Sequence, residues 1–259
     1  MKLLYRVYPA LLLFLLQGLP GKAQVTDSVP SAGKAAINAH PFKPGSLILP
    51  GALFTYGLLT VHVPDLHRQN EELKQLVWDR NPHERFLIEN YTAFVPALAV
   101  YGLNLGGLQG RNNLTDRTLL YGLSTALACG VTLGIKETEM ELRPDGSDRA
   151  SFPSNHTAVA FVAAEFLHQE YRGRVHWSII AGGYAIAAGT GFMRMYNNRH
   201  WFGDVIAGAG VGILSTRFIY WVYPEIRHFL SHKKSLRNDI VFVPTYMEGR
   251  LGIAGVIRF

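Results

Sequence analysis

Six charged or imidazole side chains of this chain stand at spacings that could do chemistry, and they fall into three clusters. The first is KETEMELRP, with Lys136, six intervening residues, then Arg143 and Pro144. The second is RASFPSNHTAVAFVAA, in which Pro153, Ser154, Asn155 and His156 stand at the door of an apolar run. The third is RMYNNRHWFGD, with Arg194, five residues, His200, three residues, then Asp204. Three cations can neutralise an anion that carries two charges and several acceptor oxygens. A helix start adds unpaired backbone N–H groups and a partial positive charge. Asp204, four residues after His200, can reach one ring nitrogen and leave the other as a free electron pair. His200 then serves as nucleophile and His156 protonates the leaving oxygen. The chemistry described is phosphoryl transfer through a phosphohistidine, with fixed cations where other enzymes use a metal. A metal site fits less well, because three nearby cations repel a metal and no third ligand is evident.

Each cluster taken alone has an ordinary reading: two surface charges, a helix-cap neighbour, an i,i+4 pair. What joins them is their placement. Apolar runs cover 45–61, 91–110, 118–135, 157–172, 176–193 and 205–223, long and rich in Ala, Gly and Leu, and so helical. In an up-and-down bundle the end of the third run, the start of the fourth, the end of the fifth and the start of the sixth share one face. The expected fold is therefore all-α, a bundle of about six helices over 45–232, of a length that suits membrane spans. Glu165 and Arg217 lie roughly 15–20 Å along their helices at ~1.5 Å per residue, where lone charges are expensive. They are expected to pair.

Between the first two runs, Leu73, Leu76 and Val77 sit at helical spacing in a charged segment, which reads as an amphipathic helix on a surface. The first 23 residues have a short basic start, an apolar core and small residues before a cleavage point after Ala23, the layout of a secretory signal. Residues 24–44 read as a linker. The tail 238–259 has two β-like runs around Glu248-Gly249 and is expected to form a hairpin.

Composition sets the outer limits. The chain has 259 residues, 48% hydrophobic, enough for one sizeable core. A formal charge of +6 without a basic run is too mild to argue for a nucleic-acid partner, and none is expected. Cys129 is the only cysteine, so no internal disulfide forms.

The three clusters resemble the signature of the type 2 phosphatidic acid phosphatase superfamily, shared with bacterial acid phosphatases and vanadium haloperoxidases. That pattern is Lys-x6-Arg-Pro, Pro-Ser-Gly-His and Ser-Arg-x5-His-x3-Asp, and the similarity covers roughly 45–225. It implies that Lys136, Arg143, Ser154 and Arg194 bind phosphate, that His156 is the acid, His200 the nucleophile and Asp204 its partner. It implies an all-α bundle and, for the phosphatases, no metal and no cofactor. Two positions depart from the pattern. Asn155 replaces a glycine whose backbone N–H touches the phosphate, so its amide is expected to keep that contact while its side chain narrows the pocket. Met193 replaces a serine.

Three function classes remain open on this reading. A membrane phosphatase acting on a lipid phosphate of the bacterial envelope fits the apolar runs, and lipid A, undecaprenyl diphosphate and phosphatidylglycerophosphate are candidate substrates. A soluble periplasmic acid phosphatase fits the mean hydropathy of +0.09. A haloperoxidase fits the motif but needs vanadate. The cleaved signal and β tail tilt the expectation to lipid A. Three crossings would carry a site from an outside N-terminus to the cytoplasm, whereas the resemblance implies a site facing the periplasm, which is the expectation kept.

Overall fold

The computed structural model describes residues 44–80, 82–235, 239–247 and 250–258. The expected signal segment and all but the last residue of the linker lie outside the described residues. Eight α-helices occur among the described residues: α1 Ile48–His62, α2 Pro64–Lys74, α3 Glu89–Thr92, α4 Val95–Leu105, α5 Leu114–Glu139, α6 Asn155–Tyr171, α7 Trp177–Tyr196 and α8 Phe202–Ser235. The all-α expectation therefore holds, with one run divided. The 91–110 run breaks into α3 and α4, because Pro96 has no N–H to donate into a continuing helix and so stands at the start of a new one. Gly107, at φ +89°, follows the end of α4, a conformation that glycine adopts without penalty.

The six runs do alternate in direction. His62 at the end of α1 lies 3.0 Å from Glu139 at the end of α5. Glu89, before α4, meets Arg194 near the end of α7. Arg111, beyond α4, donates its backbone N–H to the carbonyl of Glu170 near the end of α6. Hence α1, α5 and α7 run toward one end of the bundle, while α4, α6 and α8 run away from it. Residue 44 lies at the opposite end.

At the centre is α6, packed by α4, α5, α7 and α8. Its Ala158, Ala160, Ala163 and Ala164 are fully buried, so neighbouring backbones come close. The start of α8 adds small residues for the same purpose. A Cβ on Gly208 would sit 2.5 Å from the Ser154 carbonyl, and one on Gly210 2.6 Å from the Pro50 carbonyl. These glycines let α8 lie against α1 on one side and the start of α6 on the other.

Three helices, Pro44–His62, Leu114–Glu139 and Phe202–His228, are long and apolar enough to cross a membrane. Ile48, Leu49, Leu114 and Leu133 stand exposed on the first two. Apolar faces of this kind need a hydrocarbon solvent. This is a membrane protein.

The charges within the bundle are paired. Arg217 grips Glu165 with two nitrogens, Nε at 2.9 Å and Nη2 at 3.2 Å, as expected from the sequence. The Tyr184 hydroxyl also donates to that carboxylate, whose side chain is 0% exposed. Removing one partner leaves the other charge buried alone. Arg217→Met is expected to destabilise the protein by about 3–5 kcal/mol. The double variant with Glu165→Gln should recover much of that loss in thermal unfolding in detergent.

The expected C-terminal hairpin is not supported as part of this fold. The backbone runs antiparallel over Asp239–Met247 and Arg250–Arg258. Among the described residues no helix packs extensively against either segment, and an isolated two-stranded ribbon is marginal in water. The body of the protein is helical.

Candidate active site

Lys136, Arg143, His156, Arg194, His200 and Asp204 meet at the end of the bundle where α5 and α7 finish and α6 and α8 begin. Short-range features of the sequence aim each of them. Met140 takes the left-handed conformation, φ 46°, and ends α5 four residues beyond Lys136. Beyond that turn Glu141 and Arg143 are partly buried while Leu142 between them is exposed. The loop before α6 is stapled to α5, since the Lys136 ammonium donates to the carbonyls of Ala150 at 2.6 Å and Ser151 at 2.9 Å. The Ser154 backbone N–H donates to the Asp204 carbonyl at 3.0 Å, which joins the starts of α6 and α8.

His200 is buried, and its tautomer is set by its neighbours. Nδ1 lies 3.2 Å from Asp204 Oδ2, and Arg143 Nη1 lies 3.3 Å from Nε2. A guanidinium only donates, so Nε2 carries the lone pair and Nδ1 the proton. Asp204 Oδ2 also accepts from the Ser151 hydroxyl at 2.5 Å and the Trp201 N–H at 2.9 Å. Burial pushes the His200 pKa down to about 4; Asp204 opposes this, while Arg194 and Lys136 add to it. The ring is neutral at pH 7, as a nitrogen nucleophile must be.

His156, in the first turn of α6, is partly exposed, and no described residue hydrogen-bonds its ring. Its pKa is likewise lowered to about 4, by burial first and then by Arg194, with Glu89 opposing and Arg143 and Lys136 adding. Both imidazoles thus feel the same cations. An anion among those cations would offset their part of the shift and raise the His156 pKa.

The cations are differently committed. Arg143 also pairs Nε with Asp148 at 2.7 Å and donates to the carbonyls of Arg199 and Ala150. Arg194 donates from Nη1 to Glu89 Oε1 at 3.1 Å, while its buried Nε has no hydrogen-bond partner among the described residues. An incoming phosphate oxygen would satisfy that donor.

Ser154 and Asn155 are placed differently from the expectation. The Ser154 hydroxyl caps α6, accepting from the Thr157 N–H at 3.4 Å and its hydroxyl at 2.9 Å. Its side chain builds the helix start and is wholly buried. Asn155 accepts from the Thr132 hydroxyl on α5 at 2.8 Å, so its side chain ties two helices instead of narrowing the pocket. It is helical with negative φ, so this position does not need glycine.

Three contributors carried no signal in the sequence. Glu89 orients both Arg194 and Asn197, the latter donating to it at 2.8 Å. Ser151 anchors Asp204. Asn70, the buried residue of the expected amphipathic helix α2, accepts from the Gly203 N–H at 3.0 Å and so caps α8, placing α2 behind the site.

Residues 117–228 match the PAP2 superfamily, a region that contains all eight expected site residues. That is the family the three clusters resemble. Among curated relatives, the chain is 40% identical over 136 residues to Lipid A 1-phosphatase of Porphyromonas gingivalis, covering 52% of this chain and 30% of that protein. It is 33% identical over 90 residues to the bacitracin transport permease protein BcrC of Bacillus licheniformis, covering 35% of this chain and 41% of that protein. The chain thus spans less than half the length of these relatives. Among solved structures, Aquifex aeolicus LpxE matches at TM-score 0.44 and 21% identity, over 58% of this chain and 94% of that one. The PAP2 type phosphatidylglycerolphosphate phosphatase from Bacillus subtilis matches at TM-score 0.46 and 20% identity, over 73% and 99%.

Proposed function

We propose that this protein is a metal-independent phosphatase of the bacterial envelope that removes phosphate from a lipid through a phosphohistidine at His200. The observation that carries the reading is the buried His200, with Nδ1 3.2 Å from Asp204 Oδ2 and Nε2 3.3 Å from Arg143 Nη1. In this reading Lys136, Arg143 and Arg194 hold the phosphate, with the backbone at Ser154 and Asn155 as the helix start behind it. Nε2 attacks phosphorus, the P–O bond to the lipid breaks, and His156 gives its proton to the leaving oxygen. Asp204 stabilises the positive charge that develops on the imidazole. Water then attacks the N–P bond with His156 as base, releasing inorganic phosphate and restoring both rings.

Exposed apolar helices favour a lipid over a soluble ester, so the soluble acid phosphatase reading is the weaker one. We take lipid A as the first substrate to test, because the relative with 40% identity is a Lipid A 1-phosphatase. Undecaprenyl diphosphate and phosphatidylglycerophosphate are the alternatives. Phosphate release should be followed from these three lipids and from a small soluble ester. A kcat/KM on lipid A well above the others is the expected result, and equal values on lipid and soluble esters would overturn the lipid assignment.

We place the site toward the periplasm. Because residue 44 lies at the other end of the bundle, α1 would then enter from the cytoplasmic side. That arrangement is at odds with a leader cleaved after Ala23. Ser147→Cys, exposed at the site end, should react with a membrane-impermeant maleimide in spheroplasts. Protection until lysis would reverse the orientation.

A further inference from the structure

Beside the motif residues lies a carboxyl group that no part of the mechanism uses. Glu141 follows the left-handed turn at Met140, and its backbone carbonyl accepts from the Ser151 N–H at 3.0 Å. Its side chain, 7% exposed, faces Asp204 within hydrogen-bond reach. Two ionised carboxylates cannot share so dry a site without a proton between them.

The surrounding donors decide which oxygen carries it. Asp204 already accepts from the Ser151 hydroxyl, the Trp201 N–H and His200. Neither oxygen of Glu141 has a donor among the described residues. Lys136 is committed to the carbonyls of Ala150 and Ser151. His67 on α2 is 4.0 Å away, and its Nδ1 is 3.2 Å from the Thr60 carbonyl, which it serves instead. Glu139 on α5 adds negative charge and is itself paired with His62. The groups facing Glu141 are therefore an acceptor already satisfied, a lysine engaged elsewhere, a histidine out of reach and a like charge.

We propose that Glu141 is a positioning residue: a neutral carboxylic acid that donates its proton to Asp204 and so holds that carboxylate against His200. Burial first, then the Asp204 charge, pushes its pKa up to about 10, which agrees with the geometry. Asp204 is thereby held by three fixed donors, Ser151 and Trp201 on the oxygen that meets the ring and Glu141 beside them. The role rests on the phosphohistidine reading; the protonation of Glu141 does not.

Two readouts separate those statements. Infrared difference spectra of the purified protein at pH 7, wild type against Glu141→Gln, should contain the C=O stretch of a protonated carboxylic acid that belongs to Glu141. Such a band is expected whether or not the protein turns over lipid A, and spectra that lack it would overturn the proposal. In activity, glutamine supplies a donor of similar shape, so Glu141→Gln should keep kcat within about threefold of wild type. Glu141→Ala should lower kcat by about 10-fold to 100-fold with KM little changed. Equal losses in the glutamine and alanine variants would show that a neutral donor is not what Asp204 requires. If the band is present and the wild type shows no phosphatase activity, the functional reading fails and the neutral carboxyl stands.

Discussion

His200→Ala is expected to reduce phosphate release by about four orders of magnitude or more, the scale of removing a nucleophile from an interdependent catalytic group. No other described side chain presents a lone pair in the same setting. His156 lacks a carboxylate partner among the described residues, and Lys136, Arg143 and Arg194 act in this site as hydrogen-bond donors. The loss should fall on kcat, because Lys136, Arg143 and Arg194, which the proposed mechanism assigns to the phosphate, are all retained. It should also persist in single-turnover experiments, where slow product release cannot mask it. The variant is a fair test because Asp204 keeps its bonds from Ser151 and Trp201 when the ring is removed, so the start of α8 stays anchored. An unfolding temperature within a few degrees of wild type would verify this. Residual activity above about a tenth of wild type would end the nucleophile assignment, since a nucleophile cannot be removed at so small a cost.

His156→Ala is expected to lower turnover on a lipid phosphate by about 10²- to 10⁴-fold, the usual range for general acid catalysis. The loss should shrink for esters whose leaving group needs no proton. The pH profile supplies a second signature. Free His156 has a pKa of about 4 and is neutral at pH 7, chiefly through burial and then Arg194. A bound phosphate dianion offsets Arg194, Arg143 and Lys136, which raises that pKa toward or past its ordinary value. Anion binding near pH 7 should therefore take up protons, measurable as a heat that varies with the ionisation enthalpy of the buffer. For kcat, rates should fall on the basic side as His156 loses its proton. They should fall on the acid side as His200 becomes protonated. The basic limb should vanish in His156→Ala, and a basic limb that survives would belong to another group.

The legible part of the site was the part held by covalent spacing. His200 and Asp204 are four residues apart at a helix start, so any fold that keeps the helix brings them within reach. Lys136 and Arg143 flank one helix end, and Ser154 to His156 open another. Direction reversal between successive apolar runs then places all of them at one end, whatever the crossing angles. The length of the apolar runs and their Ala, Gly and Leu content located the same helices, apart from the division of the 91–110 run. The Glu165–Arg217 pair was legible for a related reason: two isolated charges deep in an apolar bundle have few other ways to be satisfied.

Contacts between distant segments could not be read this way. Glu89 reaches Arg194 across 105 residues, and Asn70 caps α8 across 133. Neither residue differs in type or flanks from any polar residue on a connecting segment. Glu141 stood unnoticed in the gap between Lys136 and Arg143, because only the left-handed turn at Met140 aims it at Asp204. Asn155 illustrates the converse. Its departure from glycine suggested a narrower pocket, yet its side chain is absorbed by Thr132 of α5. By itself, the sequence determined which atoms could do phosphoryl chemistry and which helix ends would carry them, since local spacing and burial are properties of neighbouring residues. Only the tertiary structure decided which groups hold those atoms in place, because a partner's identity depends on how two helices pack, and no single segment records that.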